Sequence, residues 1–203
     1  MVNLRVPSEL VPYVPYVTAW SSEARPRRRV VPRSTGAGIA FADERPSDRD
    51  RRGFLWDRFK LAYGKGKPMF GAVHPGRQRH AMDKLLCQVC AQPADRNTDG
   101  VLWMLQDHRD DWVGWPNRMG VTEPPICAPC VEVSRQRCPA LRRSHALVRV
   151  NTMPVTGVHG TRYVPTGEGV APGKSGPIDF GADLRWVLAT HLVREFRDAV
   201  IVN

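Results

Sequence analysis

Cys87-Gln88-Val89-Cys90 and Cys127-Ala128-Pro129-Cys130 decide how this chain is read. A C-x-x-C turn aims two sulfurs at one point, and two such turns complete a tetrahedral thiolate cage suited to zinc. The 36 residues between the pairs leave room for a β-hairpin. Upstream, residues 75–86 (PGRQRHAMDKLL) place proline at the first helical position, and Ala81, Met82, Leu85 and Leu86 form an apolar stripe. The first pair precedes a polar turn, AQPADRNTDG, and the strand-like VLWMLQ. The second opens a helix-compatible run, VEVSRQR, that ends at Pro139. Knuckle, β-structure, then a second pair opening a helix is the order of a treble-clef finger. A zinc ribbon, which carries a knuckle and strand after the second pair, ranks behind it. Cys138, eight residues past Cys130, falls about two helical turns from the cage and reads as a small buried apolar side chain.

Outward from the cysteines, the sequence alternates turn signals with strand patterns. Asp48 to Trp56 (DRDRRGFLW) and Asp95 to Trp103 (DRNTDGVLW) share the pattern D-R-x-x-x-G-x-L-W. Each reads as a polar turn closed by glycine, followed by a strand carrying a core tryptophan. Residues 146–177 are strand-like and rich in glycine and proline, and read as a hairpin. Leu184, Val187, Leu188, His191, Leu192 and Phe196 fall at helical spacing after Asp183, a suitable N-cap. They predict an amphipathic helix over 184–197, with His191 a hydrogen-bonded core residue and AVIV (199–202) a short final strand. Residues 4–20 interrupt apolar residues with Pro7, Pro12 and Pro15, as in an edge strand or an arm anchored by Tyr13, Tyr16 and Trp20. Lys65 and Lys67 lie in a glycine turn without the spacing of a phosphate loop.

The net charge is +10, and 25 of the 30 basic residues are arginine. Residues 1–86 hold 17 basic and 8 acidic side chains, whereas residues 87–138 hold 5 and 7. The positive field therefore belongs to the N-terminal part, and the metal segment reads as scaffold. Arginine forks match phosphates and carboxylates, so DNA or an acidic or DNA-bound protein is the expected partner. Arg25, Arg27, Arg28, Arg29 and Arg33 form the densest basic cluster, either a phosphate contact or a solvated strand face. Arg77, Arg79 and Lys84 on the predicted helix are the second set. Trp112 and Trp115 lie among Asp, Gly and Pro, and either meet a partner or close the core around the knuckle.

No apolar run approaches the roughly 18 residues of a membrane span. The N-terminus lacks the layout of a secretory signal, so a cytoplasmic protein with reduced cysteines is expected. The sequence has no G-x-S-x-G, H-E-x-x-H or dinucleotide fingerprint. Parts of the chain resemble HNH nucleases, which share the treble-clef order. Asp107-His108 follows VLWMLQ where that family places its water-activating histidine, and Asn117 lies before the second cysteine pair. The resemblance breaks at the final helix, where the family's metal-binding histidine is replaced by Val131 and residues 131–137 contain no histidine.

The strings HPGRQRHAMDKLLCQVCAQPADR (74–96), TEPPICAPC (122–130) and RWVLATHLVREF (185–196) are similar to a family of small uncharacterised proteins from actinobacteria and their phages. The resemblance runs through most of the chain. It implies a shared cysteine scaffold and a mobile-element or regulatory setting, and brings no activity with it.

The expected fold is α+β: a mixed small β-sheet core, a treble-clef zinc site and a packed C-terminal helix. Residues 1–70 would form a basic arm and strand segment, 71–145 the zinc module, and 146–203 a hairpin and helix packed on that module. The expected role is non-catalytic binding or regulation on DNA or a DNA-bound complex, with structural Zn2+. The rivals are a protein-only adaptor for a DNA-processing enzyme and a degenerate HNH nuclease using His108, Asp107 and Asn117.

Overall fold

Glycine turns and runs of β-branched residues give this chain far more strand than helix. The structure is a computed structural model describing residues 14–24, 26 and 28–202. In chain order the elements are β1 (Thr18–Trp20), β2 (Val30–Pro32), β3 (Ile39–Phe41), β4 (Leu55–Trp56), β5 (Pro68–Val73), helix α1 (Pro75–Lys84), β6 (Arg96–Asn97), β7 (Gly100–Leu105) and β8 (Gly120–Val121). There follow helices α2 (Ala128–Arg137) and α3 (Pro139–Arg143), then β9 (Ala146–Thr152), β10 (Val155–Thr166), β11 (Gly169–Asp179), β12 (Val187–Glu195) and β13 (Arg197–Ile201).

Two sheets carry the fold. One runs β11-β10-β12-β4, with β8 also on β12; the other runs β13-β9-β7-β6. The short β4 lies parallel to β12, and the other pairings are antiparallel. Strands from residues 1–70 and 146–203 thus share a sheet, and β7 of the cysteine segment pairs with β9. Val148, Val150, Val158, Val187, Ala189 and Leu192 meet in the main core with Trp56 and Trp103. Phe196, between β12 and β13, stands edge-on to Trp103 at 4.9 Å.

Both copies of the repeated turn form as expected. Gly53 and Gly100 take positive φ, 84° and 112°, and each leads into a strand with a buried tryptophan. At Gly100 a Cβ would lie 2.2 Å from the Val150 carbonyl oxygen, so a side chain is excluded there by backbone. β7 is buried along its whole length because its two faces serve different cores. Val101, Trp103 and Leu105 face the main core, while Leu102 and Met104 face the cysteines.

Helix α1 starts at Pro75 as the sequence predicts, capped by His74, whose Nδ1 accepts the Arg77 backbone N–H. It docks through Gln78, which is fully buried. Between the stretches of β12 paired by β4 and β8, the Gln78 amide accepts from the Leu192 N–H (3.0 Å) and donates to the Leu192 carbonyl (2.9 Å). One side chain thus continues the backbone ladder where no strand reaches.

The C-terminal helix expected over 184–197 is absent: after one short turn at Leu184–Trp186 the segment is strand β12, then β13. The register explains the misreading. His159 pairs with His191 and Gly160 with Ala189, so Thr190 is an extra residue, a β-bulge. The bulge turns a spacing of two into three along the buried face of Val187, Ala189 and Leu192, while Leu188 packs against a second core, so Val187, Leu188 and Leu192 together fall at helical spacing. His191 is a half-buried strand residue whose Nδ1 lies 3.0 Å from Thr190 Oγ1. The expected final strand is β13. The hairpin expected at 146–177 is β10–β11 alone, since β9 joins the other sheet. Tyr16 and Trp20 are buried anchors, as expected of the arm; Pro7, Pro12 and Tyr13 lie outside the described residues.

Candidate metal centre

The Sγ atoms of Cys87, Cys90, Cys127 and Cys130 all lie within 4.8 Å of one another. Cys90 and Cys127 stand 3.6 Å apart, a contact between unbonded sulfurs. Metal–sulfur bonds of about 2.3 Å in a tetrahedron place neighbouring sulfurs roughly 3.8 Å apart, so donor set and spacing fit one metal ion.

Local backbone geometry builds the cage. Helix α1 ends at Leu85 in the left-handed region, which turns the chain into the first pair. Cys87 to Ala91 then forms a tight knuckle: the Ala91 N–H donates to the Cys87 carbonyl (2.9 Å), and Ala91 has φ 60°. The Val89 N–H points at Cys87 Sγ, 3.4 Å away. Hairpin β6–β7 follows, and Cys127 sits at the N-cap of α2 with Cys130 in its first turn. Main-chain bonds join the pieces: Gln88 N–H to Pro125 carbonyl (2.9 Å), Asp95 N–H to Ile126 carbonyl (3.1 Å), and Ile126 N–H to Leu102 carbonyl (2.9 Å). Leu102, Met104 and Ile126 close an apolar wall around the sulfurs. Cys138, at the junction of α2 and α3, is outside the group.

The electrostatics are compatible with a bound cation, which would be needed to ionise all four thiols together. Burial pushes the Cys87 thiol up to about 12, and burial together with the neighbouring Cys87 charge raises Cys130. Cys127 moves the other way: burial opposes its ionisation, but the Cys130 N–H and neighbouring thiol groups stabilise its thiolate. Four thiolates cannot share so small a space without positive charge between them. A contribution no sequence pattern signalled comes from the N-terminal segment. The Tyr16 and Val17 N–H groups donate to the Val89 and Gln88 carbonyls, at 2.9 and 3.2 Å, and clamp the first knuckle from outside.

The other sequence candidates scatter. Asp107 is held by Arg109 at 2.8 Å, a contact that keeps its carboxyl below the ordinary range, and exposed His108 lies 3.3 Å from Asp111. Asn117 is engaged with the backbone of β13. Its amide donates to the Ala199 carbonyl (3.0 Å) and accepts the Ala199 N–H (2.9 Å), fastening the loop to β13. Asn117→Ala should therefore lower stability by about 1–3 kcal/mol in urea denaturation. Unchanged stability with loss of a metal-dependent DNA cleavage would instead restore its nuclease role.

Two arginines expected at the surface are buried. Arg28 pairs with Asp57 beneath the surface and lies 5.3 Å from the Phe41 ring centroid. Arg77 is ion-paired to buried Glu23. Each meets a carboxylate distant in sequence. Arg29 is exposed and Arg33 half-buried; Arg25 and Arg27 lie outside the described residues. Arg79 is half-buried against Trp56, and Lys84 is exposed. Trp115 belongs to the core rather than to an interface, while Trp112 is 41% exposed. Among the described residues no helix is long and apolar enough to cross a membrane. No family model, curated protein or solved structure matches the chain, so its function is inferred from its own residues.

Proposed function

We propose that the chain is a non-catalytic binding or regulatory protein acting on DNA, or on a protein complex bound to DNA, in a phage or mobile-element setting. Its cysteine cage would hold one structural zinc ion in a treble-clef finger. The succession of knuckle, antiparallel hairpin and helix opened by the second pair supports that classification. Four protein sulfurs fill a tetrahedral ion, leaving no position for a substrate or an activated water. Zinc there supplies cross-linking and charge compensation, not Lewis-acid chemistry at a reacting group.

The observation that carries the DNA reading is the charge distribution: 17 basic against 8 acidic residues precede the cage. A polyanion is the partner such a field attracts. On unrelated DNA duplexes, an electrophoretic shift titration should show binding that weakens steeply between low and moderate salt, as counterion release requires. A protein-only adaptor is the second reading, favoured by exposed Trp112 and by Val113, whose side chain is wholly in solvent. Absence of any shift at low salt would transfer the proposal to that reading.

A further inference from the structure

A cleft of about 1260 Å³ opens between helix α1 and the turn that precedes β4. Arg51, Arg52, Arg79 and Lys84 line it, with Asp50 and Asp83 as its carboxylates. Both carboxylates are engaged. Asp50 Oδ1 accepts the N–H groups of Arg52 (2.9 Å) and Phe54 (3.1 Å), and its carbonyl accepts the Gly53 N–H. Asp83 lies 3.2 Å from the Lys84 ammonium. Asp50 therefore serves to shape the turn that presents two consecutive arginines, Arg51 and Arg52, both exposed.

Arg79 is the informative residue. Its guanidinium lies 4.5 Å from the Trp56 ring centroid, a cation–π contact that orients the fork without using its N–H donors. Among the described residues it has neither a hydrogen bond nor an ion pair within 4 Å. Burial holds its pKa below the ordinary arginine value, with only distant support from Asp50 and Asp83. A half-buried, oriented guanidinium with free donors, sharing an open cleft with exposed Arg51 and with Arg52, whose guanidinium lies 4.9 Å from the Phe180 ring centroid, is arranged to receive an oxyanion.

We infer that this cleft, rather than the surface at Arg29 and Arg33, holds the phosphodiester backbone of a nucleic acid, with Arg79 at its floor and Arg51, Arg52 and Lys84 at its rim. The inference rests on the DNA reading above and gives it an address. A continuous backbone suits the site better than a free nucleotide, because the cleft is open and its cations are spread over two separate elements.

The test is fluorescence anisotropy with a labelled DNA duplex over a salt series, using the zinc-loaded full chain. Arg51→Ala/Lys84→Ala changes exposed side chains only and should weaken binding at least about tenfold, reducing the salt slope by about two. Arg79→Ala should weaken it comparably, while Arg29→Ala/Arg33→Ala should stay within about twofold of wild type. If wild type binds and the cleft variants bind equally well, the cleft assignment is wrong and the DNA reading survives. If wild type binds no DNA at low salt, both fall. Displacement of the duplex by micromolar mononucleotide would show a free nucleotide to be the occupant and overturn the backbone assignment.

Discussion

Cys127→Ser should abolish cooperative folding of the cysteine segment and give a protein that aggregates or is lost during purification. Structural zinc contributes on the order of 10–16 kcal/mol of apparent binding free energy in small zinc modules, comparable to the whole stability of a domain. Here the loss spreads beyond one sulfur. Cys127 occupies the N-cap position of α2, its neighbour Ile126 bonds to both Leu102 and Asp95, and β7 forms a wall of the main core. Cys138→Ser is the control: that thiol lies outside the cage, so metal content and unfolding midpoint should stay near wild type. Thermal unfolding with metal analysis checks both variants. A folded, soluble Cys127→Ser protein would contradict a structural metal.

The second large effect is expected at Arg77. Its guanidinium contacts both carboxylate oxygens of Glu23, at 2.6 and 2.7 Å, and the Thr18 carbonyl at 2.7 Å, beneath the Tyr63 ring. Glu23 also accepts the Trp20 N–H at 2.8 Å. This pair ties β1 and the Tyr16–Val17 clamp to α1, with both side chains almost fully buried. Arg77→Met leaves a buried carboxylate without its counterion, at a cost of about 3–5 kcal/mol. For a chain of this length that lowers the melting temperature by on the order of 10 °C. Arg77→Met/Glu23→Leu should recover part of the loss, since the orphaned charge is then gone. Equal melting temperatures for wild type and Arg77→Met would sink the assignment.

The same cluster gives an acid-side pH dependence. Burial opposes ionisation of Glu23, but the Arg77 and Trp20 hydrogen bonds prevail and hold its carboxyl below the ordinary glutamate range. Burial and the Arg77 charge lower the His74 imidazole despite Glu23 nearby. Both folded-state values are depressed, so both contributions are complete above the unfolded values and fade as pH falls through the folded ones. Acid therefore destabilises the cluster first through protonation of His74, then of Glu23.

The cage was legible because a C-x-x-C turn is local geometry, and two such turns need only a fold that brings them together. Pro75 and the glycines of the repeated turn were legible for the same reason: each fixes its own backbone. The C-terminal strand was not, because the Thr190 bulge gives β12 a spacing that periodicity assigns to a helix. Arg28 and Arg77 were misread because a charge carries no local sign of its partner. Their carboxylates lie 29 and 54 residues away. Asn117 was named for its type and position, which carry no sign that both ends of its amide bind the backbone of β13. Arg79 was named from the helix pattern, but its stacking on Trp56 and the cleft beside it exist only once α1 and β4 both rest against β12.

The most direct test is the metal content of protein purified without added metal, followed through titration with a thiol-reactive reagent in the presence of a competing chelator. One equivalent of zinc per chain is predicted, protecting four thiols while Cys138 alone reacts readily, and its removal should melt the cysteine segment. Folded protein with no bound metal and five reactive thiols would contradict the zinc-stabilised scaffold on which the functional proposal rests.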